Sequence, residues 1–138
     1  MDILSTLNDY TLAAPSSDVV LLIARIIIGI TFIYYGWPKL KDLRQNAEDF
    51  EVHHGFRPGW LWGTIVALLE TFGSLGLILG VFTPILAASF AFHMLMGTLW
   101  KTIKTDKPFT DWSYDLILLA GALLLLVTGP GALALNLF

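Results

Sequence analysis

The chain has 138 residues, of which 56% are hydrophobic and 14% are charged, and its formal net charge is −3. Soluble globular domains carry roughly 25% charged residues, so this composition excludes an ordinary soluble domain. The sequence contains no cysteine, which excludes disulfides, thiolate metal sites and iron–sulfur clusters held by this chain.

Four apolar runs predict four membrane-spanning helices, and therefore an all-α fold, a transmembrane four-helix bundle. Residues 1–18 form an N-terminal tail without Lys or Arg, and residues 19–138 form the membrane domain. Pro38 favours a stop or a kink at the end of the first span. The predicted spans are residues 19–37, residues 61–80, a third from the Thr83-Pro84 turn to about residue 100, and a fourth from about residue 112 to residue 129.

The polar segment between the first two spans predicts a short interfacial helix. Its apolar residues recur every three or four positions, as on one face of a helix that lies on the membrane surface. These residues are Leu40, Leu43, Ala47 and Phe50. Gly55, Pro58 and Gly59 then end the segment.

Seven of the eight basic residues lie in two connections on the same side of a four-span bundle. The positive-inside rule makes that side cytoplasmic. The tryptophans fall at the same predicted interface, which indole prefers: Trp37, Trp60, Trp62, Trp100 and Trp112. The sequence therefore predicts a multi-pass protein of the cytoplasmic membrane with both termini extracytoplasmic.

Three ionisable residues inside the spans form the first candidate site: Arg25, Glu70 and His93. A charge at the centre of a bilayer costs about 2.5–3.5 kcal/mol on insertion scales, so such residues turn toward each other or toward a ligand. Counting the helical rise places Glu70 and His93 near mid-membrane and Arg25 within reach, which predicts an Arg25–Glu70 pair with His93 nearby. Two interpretations stay open: a structural ion pair that fixes helix register, and a polar pocket for a ligand headgroup.

A second candidate group lies at the cytoplasmic mouth: Tyr35, Lys39, Tyr114 and Asp115. Tyr and Lys at this depth are common interfacial anchors. Asp115 is positioned to pair with Lys39, so a contact with a small molecule is the alternative interpretation.

No metal site and no intrinsic cofactor are predicted. His53 and His54 are adjacent, so they cannot share one helical face, and no third ligand is near in sequence. Haem held by two histidines would need a second histidine in a span. The sequence has no nucleotide fingerprint, and nothing in it supports nucleic-acid binding.

Three motifs carry a family resemblance: YYGWPKL at residues 34–40, ALLETFGSLGLILGVFT at 67–83 and GPGALAL at 129–135. With them, the chain resembles the DoxX-like family of small four-span membrane proteins. Arg25, Lys39 and Glu70 match the family pattern, whereas Tyr35 stands where members commonly have His and Asn136 where they have Asp. The family is related to DoxD, a membrane subunit of thiosulfate:quinone oxidoreductase.

The resemblance implies an integral subunit of a quinone-linked membrane redox system, with quinone as its ligand and no redox centre of its own. The alternative is a purely structural or assembly subunit beside a larger membrane complex, and a small-solute or lipid carrier is a third, less favoured interpretation. The expected partners are membrane lipids and either a larger membrane protein complex or further copies of this chain.

Overall fold

The structure is a computed structural model that describes residues 14–135, and this part of the chain forms five helices. Four of them are long and apolar enough to span a membrane, which confirms the predicted all-α, four-span architecture. In chain order the helices are α1 (Ala14–Lys41), α2 (Leu43–Val52), α3 (Gly59–Leu79), α4 (Thr83–Lys104) and α5 (Phe109–Thr128). Most of the predicted N-terminal tail and Asn136 lie outside the described residues.

The basic end of the bundle is the end where α1 and α4 finish and where α3 and α5 begin. All five tryptophans lie there, as the positions of the helices require: Trp37, Trp60, Trp62, Trp100 and Trp112. The Lys and Arg residues of the two polar connections lie there too. The two independent interface signals in the sequence therefore coincide in the fold.

Helix α1 does not stop before Pro38 but continues to Lys41. Proline removes one backbone N–H donor and so weakens the helix at a single position. The next turn still forms, and its two lysines, Lys39 and Lys41, lie at the helix C-terminus, where the helix dipole favours cations. The extra turn carries Lys39 to the side of α3.

The core joins all four spanning helices, α1, α3, α4 and α5, at the middle of the bundle. Phe32 of α1 stacks on Phe90 of α4 with ring centroids 4.1 Å apart. Around this pair lie buried apolar residues: Leu77, Ala87, Met94, Leu118, Ala122 and Leu125. The large apolar side chains on the outside, such as Val127 and Ile117, are exposed, as lipid-facing residues are.

Helix α2 is the predicted short helix between spans one and two, and it packs against the first turns of α3. Its N-terminal residue is capped by Asp42, whose side chain accepts a hydrogen bond from the Gln45 N–H. The buried Asn46 side chain donates to the Gly63 carbonyl at 2.7 Å. Gly59 permits this close approach, because a Cβ there would lie 2.1 Å from the Ala47 carbonyl oxygen.

Residues 129–135 form a closing segment that folds over the end of the bundle opposite the basic end. The Leu135 N–H donates to the Leu79 carbonyl, and the Ala132 N–H donates to Asp18 Oδ1, each at 2.9 Å. Gly80, with φ 74°, makes the turn beneath this segment. A Cβ on Gly80 would lie 2.3 Å from the Ala134 Cβ, so glycine is required there for both its φ and its size.

Candidate functional site

Glu70 is the centre of the first polar cluster. Its Oε2 lies 2.6 Å from Lys39 Nζ, and its Oε1 lies 2.8 Å from His93 Nε2. The Glu70 side chain is 3% exposed, whereas Lys39 is 32% exposed. The helices α1, α3 and α4 thus contribute one residue each to this cluster, and its central carboxylate is buried.

Glu70 lies in a π-helical turn, Leu69–Gly73, within α3. Such turns insert an extra residue into an α-helix and often occur at functional sites, because they change the direction of the side chains that follow. The Ser74 hydroxyl donates to the Glu70 carbonyl at 2.6 Å. Across from the turn, Gly36 of α1 leaves the space that the Glu70 side chain occupies, since a Cβ there would lie 2.5 Å from the Glu70 Cβ.

A second polar cluster lies nearer the basic end and contains Lys101, Tyr114 and Asp115. Lys101 Nζ lies 2.9 Å from Asp115 Oδ2 and donates to the Tyr114 hydroxyl at 2.6 Å. Lys101 belongs to another π-helical turn, Trp100–Lys104. The Tyr114 ring stacks on the Tyr35 ring with centroids 5.7 Å apart.

The predicted partner of Asp115 was therefore wrong: Asp115 pairs with Lys101 and not with Lys39. The predicted third span ends near residue 100, which would leave Lys101 in the connection that follows, but α4 continues past Trp100 to Lys104. Lys101 follows His93 and Gly97 at intervals of four residues, which places the three on one helical face. That spacing is the sequence signal that could have identified Lys101.

Arg25 does not join Glu70 and His93, so the predicted Arg25–Glu70 pair is also wrong. Its Nη1 donates to the Ile78 carbonyl at 2.6 Å, and its Nη2 donates to the carbonyl of Leu133 in the closing segment. The guanidinium is fully buried. Arg25 precedes Gly36, the neighbour of Glu70, by eleven residues, which corresponds to about 16 Å along α1. Arg25 and Glu70 therefore lie at different depths along the bundle axis, too far apart to pair.

One cavity of about 990 Å³ connects the two polar clusters. Both clusters lie on its wall: Tyr35, Lys39, Glu70, His93, Lys101, Tyr114 and Asp115. The predicted intramembrane and mouth groups thus form one site, from which Arg25 is absent. The remaining lining is mostly apolar and aromatic and includes Phe32, Ile65, Leu69, Phe92 and Trp100.

The cavity lies between α3 and α4. These helices are joined by the short turn around Gly80, and α3 contacts α4 mainly through its last residues, Ser74–Leu79. Toward the basic end the two helices separate, and exposed residues such as Ile65 and Phe92 line the gap. The cavity consequently opens sideways, at the face that the bundle presents to lipid.

Helix α2 covers the cavity at the basic end. Asp49, Phe50 and His54 are part of the lining, and the His54 ring lies 4.4 Å from the Trp100 ring between centroids. The sequence did not single out Phe50 or His54 as residues of this site. Within residues 14–135, no three His, Asp or Glu side chains are grouped so that they could hold a metal ion.

Comparison with known proteins places these features in a family. The sequence model of the DoxX family matches residues 20–102. The chain belongs to the DoxX family. Among curated DoxX relatives, inner membrane protein YphA of Escherichia coli K12 is 32% identical over 135 residues, which cover 93% of this chain and 94% of that protein. Inner membrane protein YqjF of the same strain is 31% identical over 121 residues, covering 86% and 91%. No solved structure matches this DoxX chain significantly.

The family resemblance of the sequence motifs is thereby confirmed. The matched region holds Glu70, His93 and Lys101 as well as Lys39, and therefore most of the polar wall of the cavity. With four apolar helices and relatives named as inner membrane proteins, this DoxX protein is a multi-pass membrane protein in contact with lipid.

Proposed function

We propose that this DoxX protein is an integral membrane subunit of a quinone-linked redox system and that its cavity receives the quinone headgroup. The single observation that carries the proposal is the placement of the Lys39–Glu70–His93 cluster on the wall of a cavity that opens toward lipid. A quinone combines a polar ring with a long apolar tail. The polar clusters suit the ring, and the gap between α3 and α4 gives the tail a path into the hydrocarbon.

The size and lining of the cavity support a small organic ligand. Ligand pockets in proteins usually have volumes of about 300–1,000 Å³ and are mostly apolar with a few polar groups that fix orientation. The cavity of about 990 Å³ falls at the upper end of that range. Its aromatic lining, including Phe32, Tyr35 and Phe92, offers flat surfaces for a planar ring.

Lys39 supplies hydrogen-bond donors for a quinone carbonyl, and His93 supplies one from Nδ1 when its imidazole is doubly protonated, because its Nε2–H is already directed at Glu70. Within the described residues, Lys39 Nζ contacts Glu70 alone, so two of its three N–H groups remain for a ligand. Reduction of a quinone to the quinol adds two electrons and two protons, one proton to each ring oxygen. In this proposal a partner oxidoreductase subunit supplies both electrons, the His93 imidazolium gives one proton to the nearer oxygen, and the second proton reaches the farther oxygen from water.

The glycines of the spans could also pack against a partner subunit, which would suit the alternative of a purely structural subunit. Those glycines contact residues of this same chain: a Cβ on Gly29 would lie 2.4 Å from Ile78, and one on Gly63 would lie 2.9 Å from Asn46. They serve packing within the bundle and give the structural alternative no support.

Binding of short-tailed quinones to the purified protein in detergent or nanodiscs tests the proposal. We expect saturable binding of decylubiquinone or a decyl naphthoquinone. In Glu70→Gln we expect a loss of affinity of about tenfold to a hundredfold, the range for one charge-assisted hydrogen bond, because the variant removes the carboxylate that positions Lys39 and His93. Glu48→Gln is the matched control, because Glu48 is exposed on α2. Absence of binding to the wild-type protein, or equal affinity in Glu70→Gln, would refute the proposal.

A further inference from the structure

The Tyr114 hydroxyl has a proton that the described structure does not use. It accepts a hydrogen bond from Lys101 Nζ at 2.6 Å and donates to no acceptor within residues 14–135. A tyrosine hydroxyl has one donor as well as acceptor capacity. Tyr114 lines the cavity, so this free donor is available to whatever occupies it.

Lys101 is the less suitable donor, because oxygens of this chain already hold its ammonium group. Lys101 Nζ donates to the Tyr114 hydroxyl and to the Asp111 carbonyl at 3.2 Å, and it lies 2.9 Å from Asp115 Oδ2 in an ion pair. Two of its three N–H groups are therefore used, and the Asp115 carboxylate attracts the remaining charge. The positive charge next to the phenol oxygen polarises its O–H bond and makes Tyr114 a stronger donor.

The two clusters are offset along the bundle by about one helical turn. Glu70 contacts His93, whereas Asp115 faces Gly97: a Cβ at Gly97 would lie 3.5 Å from Asp115 Oδ2. His93 and Gly97 are four residues apart on α4, which corresponds to about 6 Å. The donors of the first cluster and the Tyr114 hydroxyl thus approach the cavity at two levels, with the Tyr35 ring beside Tyr114 between them.

We propose that the cavity selects a ring with two acceptor oxygens on opposite sides: Lys39 and His93 hold one oxygen, and the Tyr114 hydroxyl, positioned by Lys101 and Asp115, holds the other. The inference rests on the proposed function and adds to it the residue that binds the second carbonyl of a 1,4-dione, a group that a lipid-soluble ring with a single oxygen lacks. Tyr114 is a ligand-binding residue in this scheme. Lys101 and Asp115 are positioning residues, which act through Tyr114.

The experiment compares two ligands on three proteins. The ligands are decylubiquinone and the corresponding decyl-substituted phenol, which retains one ring oxygen. The proteins are wild type, Tyr114→Phe and Tyr34→Phe. The first variant keeps the ring that stacks on Tyr35 and removes only the hydroxyl, and the second is the matched control, because Tyr34 is exposed and outside the cavity lining.

We expect wild type and Tyr34→Phe to bind the dione about tenfold to a hundredfold more tightly than the phenol, the range for a hydrogen bond with a charge-assisted donor. In Tyr114→Phe the preference disappears through weaker dione binding, while affinity for the phenol stays the same. If wild type binds neither ligand, the proposed function fails together with the inference. If wild type binds the dione and Tyr114→Phe keeps the full preference, the proposed function stands and the inference is overturned.

Discussion

Glu70 forms its ion pair with Lys39, a residue of the last turn of α1, at 2.6 Å between Oε2 and Nζ. The pair exists because α1 continues through Pro38, and because Gly36 leaves room for the Glu70 side chain. A buried carboxylate, a lysine at the helix end and a histidine of a third helix are the features from which the proposed quinone site follows.

Replacing Lys39 with Met leaves the buried Glu70 carboxylate with His93 as its one remaining ionisable partner among the described residues. Removal of one member of a fully buried pair costs about 3–5 kcal/mol. Lys39 is 32% exposed, so we expect a smaller loss, about 2 kcal/mol, in the free energy of unfolding in mixed micelles. Lys41→Met, two residues farther along α1 at an exposed position, should change stability by less than about 0.5 kcal/mol. Equal stability of the two variants would contradict the assigned pairing.

Arg25 should stabilise the closing segment and make no contribution to ligand binding in the cavity. Arg25→Met removes the hydrogen bonds to the Ile78 and Leu133 carbonyls. We expect at least about tenfold faster hydrogen exchange at the Leu135 amide, since the loss of two charge-assisted bonds lowers local stability by more than about 1.4 kcal/mol. Quinone affinity should stay at the wild-type value. A fall in affinity equal to that of Glu70→Gln would show that Arg25 belongs to the binding site after all.

Replacing Gly36 or Gly97 with Ala compares a tight contact between helices with a looser one. A Cβ on Gly36 would meet the Glu70 Cβ at 2.5 Å and the Glu70 backbone carbon at 2.9 Å, whereas a Cβ on Gly97 would meet Asp115 Oδ2 at an ordinary 3.5 Å. Overpacking of a well-filled interior costs about 1–3 kcal/mol. We therefore expect Gly36→Ala to lower the free energy of unfolding by that amount and Gly97→Ala to leave it nearly unchanged. The reverse order would be incompatible with this packing.

The absence of cysteine makes the predicted orientation directly testable with single engineered thiols. Thr110→Cys places a thiol at the basic end, and Ala132→Cys places one in the closing segment, both at exposed positions. The positive-inside rule predicts that a membrane-impermeant maleimide labels Ala132→Cys in right-side-out vesicles and labels Thr110→Cys only after permeabilisation. Labelling in the opposite pattern would invert the orientation.

The sequence by itself determined the elements of this protein. Apolar run length fixes the number of spans, and the Thr83-Pro84 turn and the tryptophan and lysine positions indicate where the spans meet the membrane surface, because these properties depend on the chain locally. The helices α1 and α4 themselves extend further, to Lys41 and Lys104. The residues that carry the chemistry were also visible, since an ionisable side chain stands out in any apolar run. Glu70, His93, Tyr114 and Asp115 all line the cavity as members of predicted groups.

The tertiary structure decided which of these residues meet. Which side chain pairs with which depends on how two helices are rotated about their axes and shifted along them. The hydropathy of the sequence carries little information on either quantity. The π-helical turns at Leu69–Gly73 and Trp100–Lys104 alter those offsets by an extra residue each, and the continuation of α1 beyond Pro38 adds a turn that carries Lys39. For this reason Glu70 pairs with Lys39 and Asp115 with Lys101, while Arg25 binds backbone carbonyls at the opposite end of the bundle.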